Sequence, residues 1–249
     1  MLTSTIRVES SRDRVLTIGS LFSGIGGFDL GLERAGRMRV AWQCERDEFC
    51  RGVLAQHWPD VPCYPDITTL RGAEPVDIIC GGFPCPVVSQ AARGRNVAVS
   101  LWPEFARLIR EVGPRYVIVE NVEGLLSAGR GFGDVLGDLA ESGFDATWRV
   151  LRASDFGAPH HRARVWLVGY PNADCEPDLS LDDEVAGMPQ LRGAARAWPD
   201  PPSRLGMDDG LPGRMDRLHT LGNALVPAIA EFIGHRILAA YDARDRLAA

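Results

Sequence analysis

The chain reads as an α/β domain with a mostly parallel sheet flanked by helices. Three observations predict this. Short apolar runs at Val15–Ser20, Arg39–Cys44, Val76–Cys80 and Tyr116–Val119 read as strands buried in a sheet covered on both faces. Stretches with helical apolar spacing separate them, as in strand–helix–strand units. The runs end in glycine, proline or an acid, so chemistry-bearing residues gather at one sheet edge, where open parallel sheets bind ligands.

Taken in order, Met1–Asp13 is polar and expected to fray. The first strand leads into Leu21-Phe22-Ser23-Gly24-Ile25-Gly26-Gly27, a turn whose glycines permit close approach of a ligand, and Phe28–Ala35 continues as a helix pointing its N-terminus at that turn. The dinucleotide fingerprint would need glycine at 29, where Asp29 stands. Arg39–Cys44 is the second strand, and Glu45 at its carboxyl end is placed to grip a ribose diol, although alone it could be a solvated carboxylate. Together, the loop and Glu45 point to a nucleoside cofactor. Glu48–His57 suits a helix. Tyr64–Ile67 ends a third short strand, with Asp66 able to accept from an adenine amino group and Ile67 able to pack on its ring.

Val76–Cys80 is the fourth strand and runs into Gly81-Gly82-Phe83-Pro84-Cys85-Pro86. A Pro-Cys step after a strand presents the thiol at the sheet edge on stiffened backbone, so Cys85 is either a nucleophile or one more small core hydrophobe. Val87–Ser100 is polar and suits a mobile lid. Trp102–Val112 has helical spacing through Phe105, Leu108, Ile109 and Val112, and the fifth strand ends in Glu120-Asn121-Val122. A helix around Val135–Glu141 follows a glycine-rich loop, then strands Ala146–Leu151 and Val165–Tyr170. Between these strands, alternation in Ala158–Arg164 would set Arg162 and Arg164 on one face of an extended segment. From Pro171 to Leu211 periodicity is lost among prolines and acids, as in a loop-rich lobe. Ala228–Tyr241 returns to helical spacing, and the charged tail after Asp242 is expected to fray.

Composition narrows the function classes. The 249 residues can bury a full core, and 45% hydrophobic with 24% charged residues is ordinary for a globular protein. No apolar run reaches the ~18–20 residues that span a bilayer, and Met1–Arg14 is too polar for a signal peptide. Six cysteines show no CxxC pair and no disulfide spacing, which fits a reduced, cytoplasmic setting and predicts no metal site. All 27 basic residues are arginine, and the net charge of −6 runs against the basic balance of most nucleic-acid binders, although local arginine clusters can supply a footprint.

A thiol, a neighbouring acid, paired arginines and a nucleoside pocket suit one chemical problem. Carbon 5 of cytosine becomes nucleophilic once a thiolate adds to carbon 6, helped by an acid at nitrogen 3 and cations at oxygen 2. These residues resemble the cytosine-5 DNA methyltransferases over roughly Val15–Tyr170 and Arg214–Ile237, in the family's order. The resemblance implies a Rossmann-like methyltransferase fold with a seven-stranded sheet, S-adenosyl-L-methionine as cofactor and a flipped cytosine of double-stranded DNA as substrate. It implies cofactor contacts from Phe22, Ser23, Gly24, Gly26, Gly27, Glu45, Asp66, Ile67, Leu101 and Asn223. It also implies Pro84-Cys85 as the nucleophile step, Glu120-Asn121 as the acid motif, and Arg164 supported by Arg162 at oxygen 2. Residues 15–170 would be the catalytic domain, 171–213 a small target-recognition lobe, and 214–241 a segment returning to complete the cofactor pocket.

Pro86 and His160 stand where the family places glutamine, the Val87–Ser100 lid is short, and the acidic 171–213 stretch is short for reading several base pairs. A short target or an auxiliary subunit would accommodate that. Three alternatives stay open: a tRNA-directed relative, a non-catalytic DNA-binding relative, and a nicotinamide-dependent oxidoreductase.

Overall fold

The computed structural model describes residues 14–84, 100–127, 129–158, 160–172, 179–181 and 225–248. Seven strands form one sheet: β1 (Leu16–Leu21), β2 (Met38–Cys44), β3 (Cys63–Tyr64), β4 (Ile78–Gly81), β5 (Tyr116–Val122), β6 (Phe144–Arg152) and β7 (Ala163–Pro171). Their spatial order is β3-β2-β1-β4-β5-β7-β6, with β1 to β5 parallel to one another and β7 antiparallel to both β5 and β6. The helices are α1 (Gly27–Arg34), α2 (Glu48–His57), α3 (Trp102–Val112), α4 (Phe132–Glu141) and α5 (Pro227–Ala248).

The central strands read as continuous apolar runs because each face has its own cover. Ile78, Cys80, Tyr116 and Ile118 face the cluster containing Phe28 and Leu32 of α1 and Ile229, Phe232, Ile233 and Ile237 of α5. Ile79, Val117 and Val119 face the opposite way, onto Phe105, Leu108, Ile109 and Val112 of α3 and Val135 and Leu139 of α4. This two-residue alternation against a 3.6-residue helical stripe is what the sequence spacing requires. The helix α3 ends at Gly113, whose positive φ of 62 lets its N–H close on the carbonyl of Ile109. The helix α5 lies tightly on α1: a Cβ on Gly31 would stand 2.3 Å from the carbonyl oxygen of Pro227.

Two local expectations are corrected. The third strand is only Cys63–Tyr64, and Asp66 opens a turn beyond it, because Pro65 cannot extend a strand ladder. The charged tail after Asp242 does not fray at that point: α5 continues to Ala248, and Asp242 is held by Arg37 at 2.7 Å. Of the stretch 171–213, Leu179 and Leu181 are buried with the α1–α5 core, and Arg149 donates to the carbonyl of Leu181 at 2.8 Å. Most of that stretch, and all of the Val87–Ser100 lid except Ser100, lie outside the described residues. Among the described residues no helix is long and apolar enough to cross a membrane.

The topology creates the cleft. From β1 the chain builds outward through β2 and β3, then returns to place β4 on the other side of β1. The connections leaving β1 and β4 therefore diverge, opening a crevice at the carboxyl ends of these strands. The antiparallel β7 begins at that same edge, since Arg164 pairs in register with Val122 at the end of β5.

Candidate active site

A cavity of about 650 Å³ occupies this crevice, a size suited to a nucleoside-sized ligand. Its wall includes Phe22, Ser23, Gly24 and Gly27 after β1, Glu45 after β2, Asp66 and Ile67 after β3, and Leu101 before α3. The same cavity reaches Pro84 after β4, Glu120 and Asn121 of β5, and Arg162 and Arg164 at the start of β7. Thirteen of the sixteen expected site residues thus share one wall. Gly26 does not line it, and Cys85 and Asn223 lie outside the described residues.

On the cofactor side, the glycine loop is pinned by backbone. Gly26 N–H donates to the Ser23 carbonyl at 2.9 Å, and Ser23 Oγ turns back to the Ser20 carbonyl at 3.0 Å. Gly24 and Gly26 take φ of 55 and 86, conformations that disfavour side chains. Gly26 is packed from behind, where an added Cβ would stand 2.4 Å from the Trp58 ring. Trp58 is itself fixed by donating its indole N–H to Glu33 at 3.0 Å. Glu45 accepts from Gly24 N–H at 2.7 Å on one oxygen and from Asp47 N–H at 2.8 Å on the other. Each carboxylate oxygen keeps a further lone pair, enough for the two hydroxyls of a ribose. Gly27 and Phe28, at the N-terminus of α1, also line the cavity, where unpaired helix N–H groups favour a carboxylate. The donor and acceptor set thus fits S-adenosyl-L-methionine: a diol at Glu45, a carboxylate at α1, and a base beside Ile67.

Asp66 lines the cavity with one oxygen already engaged. Its Oδ1 accepts from both N–H and Oγ1 of Thr68 at 2.8 Å, which holds its carboxyl below the usual value. Leu225 is an addition the sequence did not flag. It lines the cavity, and its carbonyl oxygen would stand 2.9 Å from a Cβ on Gly27, so the chain entering α5 does reach the cofactor loop.

The opposite end carries the charged pair. Arg164 Nε lies 3.2 Å from Glu120 Oε1, with 25% and 14% of the two side chains exposed. Burial pushes the Glu120 carboxyl up, while Arg164 and Arg162 pull it down. Arg162 is not in the extended geometry expected for it. Its φ is 29, just before β7 begins, yet it lines the same cavity as Arg164. Burial, then the like charge of Arg164, lowers the Arg162 value. Asn121 Nδ2 donates to the Phe83 carbonyl at 2.9 Å, tying β5 to the backbone that carries Pro84. Gly82 lies under Glu120, and an added Cβ there would stand 3.0 Å from Glu120 Oε2. Burial pushes the thiols of Cys44, Cys63 and Cys80 up, Cys44 to about 12, so all three stay protonated and poorly nucleophilic. Among the described residues, no group of three or more His, Cys, Asp or Glu is placed to hold a metal.

Asp29 gains meaning from its surroundings. It is fully buried in the first turn of α1 and accepts from Ser20 Oγ at 2.9 Å and Gln43 Nε2 at 2.8 Å, joining α1 to β1 and β2 directly beneath the glycine loop. Burial raises its carboxyl from 3.8 to about 6, against those two hydrogen bonds. A native-state value above the unfolded one favours the protonated fold. The associated stability, roughly 3 kcal/mol, is present below pH ~4 and lost as pH rises through about 6. Asp29→Asn is therefore expected to gain roughly 5–10 °C in melting temperature relative to the parent between pH ~4 and ~8. A melting-temperature difference that stays constant with pH contradicts this.

Comparison with known proteins shows the family. The sequence pattern of C-5 cytosine-specific DNA methylases matches residues 16–188. The Type II methyltransferase M.NlaIV of Neisseria lactamica is 34% identical over 191 residues, covering 69% of this chain and 44% of its own length. The chain thus spans less than half the length of that relative. Among solved structures, a candidate DNA modification methyltransferase from an E. coli prophage superposes with a TM-score of 0.54 at 29% identity, covering 64% of this chain and 47% of its own. The DNMT2 of Spodoptera frugiperda shares the fold, with a TM-score of 0.56 at 21% identity over 68% of this chain and 54% of its own. With a pattern that matches most of its length and an α/β sheet of seven mostly parallel strands, the chain belongs to the C-5 cytosine-specific DNA methylase family.

Proposed function

We propose that this chain methylates carbon 5 of a cytosine flipped out of double-stranded DNA, through a covalent adduct on Cys85. The observation that carries this reading is the Glu120–Arg164 pair in the same cavity as Glu45 and beside the backbone leading to Cys85. Extrusion of the base is needed because the ring face is otherwise stacked in the duplex.

Each residue has a defined task. The Cys85 thiolate forms a bond to carbon 6 of cytosine. Glu120, kept protonatable by burial, donates a proton to nitrogen 3 as the ring loses aromaticity. Arg164, aided by Arg162, donates to oxygen 2 and holds the base and its developing charge. Asn121 and Pro84 set the backbone that presents Cys85. Phe22, Ile67 and Leu101 pack the cofactor, Glu45 holds its ribose, and the N-terminus of α1 with Asn223 completes the amino-acid end. When bound, S-adenosyl-L-methionine supplies an electrophilic methyl group to the activated carbon 5. Loss of the carbon 5 proton to water, expulsion of the thiolate and return of the nitrogen 3 proton to Glu120 then restore the ring. The 171–213 stretch would read a short target, alone or with a second subunit.

Transfer of tritiated methyl groups to mixed-sequence duplex DNA and, in parallel, to tRNA tests the reading. Label is expected at carbon 5 of DNA cytosines. Label confined to tRNA contradicts the DNA assignment, and cofactor binding without transfer to either marks a non-catalytic relative.

A further inference from the structure

Phe105 does not itself line the cavity, yet it meets Phe22 of the glycine loop and the end of β4. Its ring is fully buried in α3. It stacks on Phe22 of the glycine loop, with centroids 6.4 Å apart and planes 25° apart. On its other side it stacks on Trp102 at 5.3 Å, and Trp102 packs on Phe83 at 5.4 Å. It also walls the end of β4: a Cβ on Gly81 would stand 2.9 Å from Phe105 Cε2. Four rings thus run from the cofactor loop to the residue before Pro84, and Phe105 is the member in contact with both ends of the crevice.

Phe22 explains why this contact matters. Its φ of 52 is unfavourable for a residue with a Cβ, and the surrounding packing must hold it there. The stack on Phe105 is an apolar support for that ring on the side away from the cavity. Trp102 is separately locked, donating its indole N–H to Asp138 of α4 at 2.6 Å. The ring between Phe105 and Phe83 is therefore anchored to a second helix.

We propose that Phe105 is a positioning residue that sets the cofactor loop and the end of β4, which leads to Pro84, relative to each other from beneath the cleft. The proposal rests on the reading of this cavity as the cofactor and base site. Truncating Phe105 removes the surface under Phe22 and the wall beside Gly81 together, so cofactor affinity and turnover should fall jointly. A similarly buried position one turn farther along the same helix should cost stability alone. Ile109, 2% exposed and in the same core, is such a position.

The test measures S-adenosylhomocysteine affinity by calorimetry, steady-state kinetics on duplex DNA, and melting temperature, for the parent and for Phe105→Leu, Ile109→Ala and Glu45→Gln. Phe105→Leu is expected to weaken binding about tenfold, raise the cofactor KM and lower kcat. Ile109→Ala should stay within about twofold in all three despite an equal or larger drop in melting temperature. Should Phe105→Leu not fold, Phe105→Met keeps most of the volume without the flat ring and is read in the same way. Binding within twofold of the parent in the Phe105 variant, or an equal loss in Ile109→Ala, overturns the proposal. If Glu45→Gln also binds normally, the reading of the cavity fails; if Glu45→Gln weakens binding while Phe105→Leu does not, only the role of Phe105 fails.

Discussion

Cys85→Ser is expected to bind S-adenosylhomocysteine within about twofold of the parent while losing methyl transfer by at least ~1000-fold. A serine hydroxyl is scarcely ionised near neutral pH, and no neighbouring base has been assigned to activate it. Adduct formation at carbon 6 therefore loses its nucleophile, whereas the residues assigned to the cofactor are untouched. Cys44, Cys63 and Cys80 cannot substitute, because burial holds each as a thiol. Calorimetry and tritium incorporation read the two effects separately. Transfer near the parent rate would sink the assignment of Cys85.

Glu120→Gln is expected to lower the rate of transfer by roughly 10²–10⁴ at neutral pH while leaving cofactor affinity intact. The amide can still hydrogen-bond but has no proton to give to nitrogen 3. The direction of the pH effect follows from the same carboxyl. Burial raises Glu120 above the ordinary carboxylate value, so its protonated fraction persists to higher pH than in water. As pH rises beyond that point, the parent loses its acid and the variant has none to lose. The parent-to-variant ratio of kcat is therefore largest at low pH and falls about tenfold per pH unit once Glu120 is ionised. A ratio independent of pH would show that Glu120 acts only by holding Arg164.

The sheet was legible because its central strands are covered on both faces, which leaves an unbroken apolar signal and fixes the polarity of their ends. From there, Glu45, Pro84 and Glu120-Asn121 could be assigned to one edge without coordinates. Resolution was lost where tertiary contacts decide conformation. The spacing of Arg162 and Arg164 suggested one extended face, but Arg162 takes a left-handed φ and reaches the cavity by a different path. Asp66 looked like a strand end until Pro65 is given its full effect on the ladder. Asp29 registered in sequence only as a missing glycine. Its partners Ser20 and Gln43 come from two separate strands, and no local pattern announces such a pairing. Phe105 was evident as core from its helical spacing, but which loops its ring would meet depends on the order of β1 and β4 in the sheet. Leu225 could have been suspected, since it stands two residues beyond the expected cofactor contact at Asn223.

The most direct measurement is covalent trapping on duplex DNA carrying 5-fluorocytosine in varied sequence contexts, with S-adenosyl-L-methionine present and a 5-fluorocytosine tRNA run alongside. Fluorine at carbon 5 cannot depart as a proton does, so a thiol that has added to carbon 6 remains attached. A denaturation-resistant protein–DNA adduct is expected, absent from Cys85→Ala, with the trapped duplexes revealing the target sequence. An adduct that survives in Cys85→Ala, an adduct on tRNA alone, or no adduct by a protein that binds the cofactor would each contradict DNA cytosine methylation through Cys85.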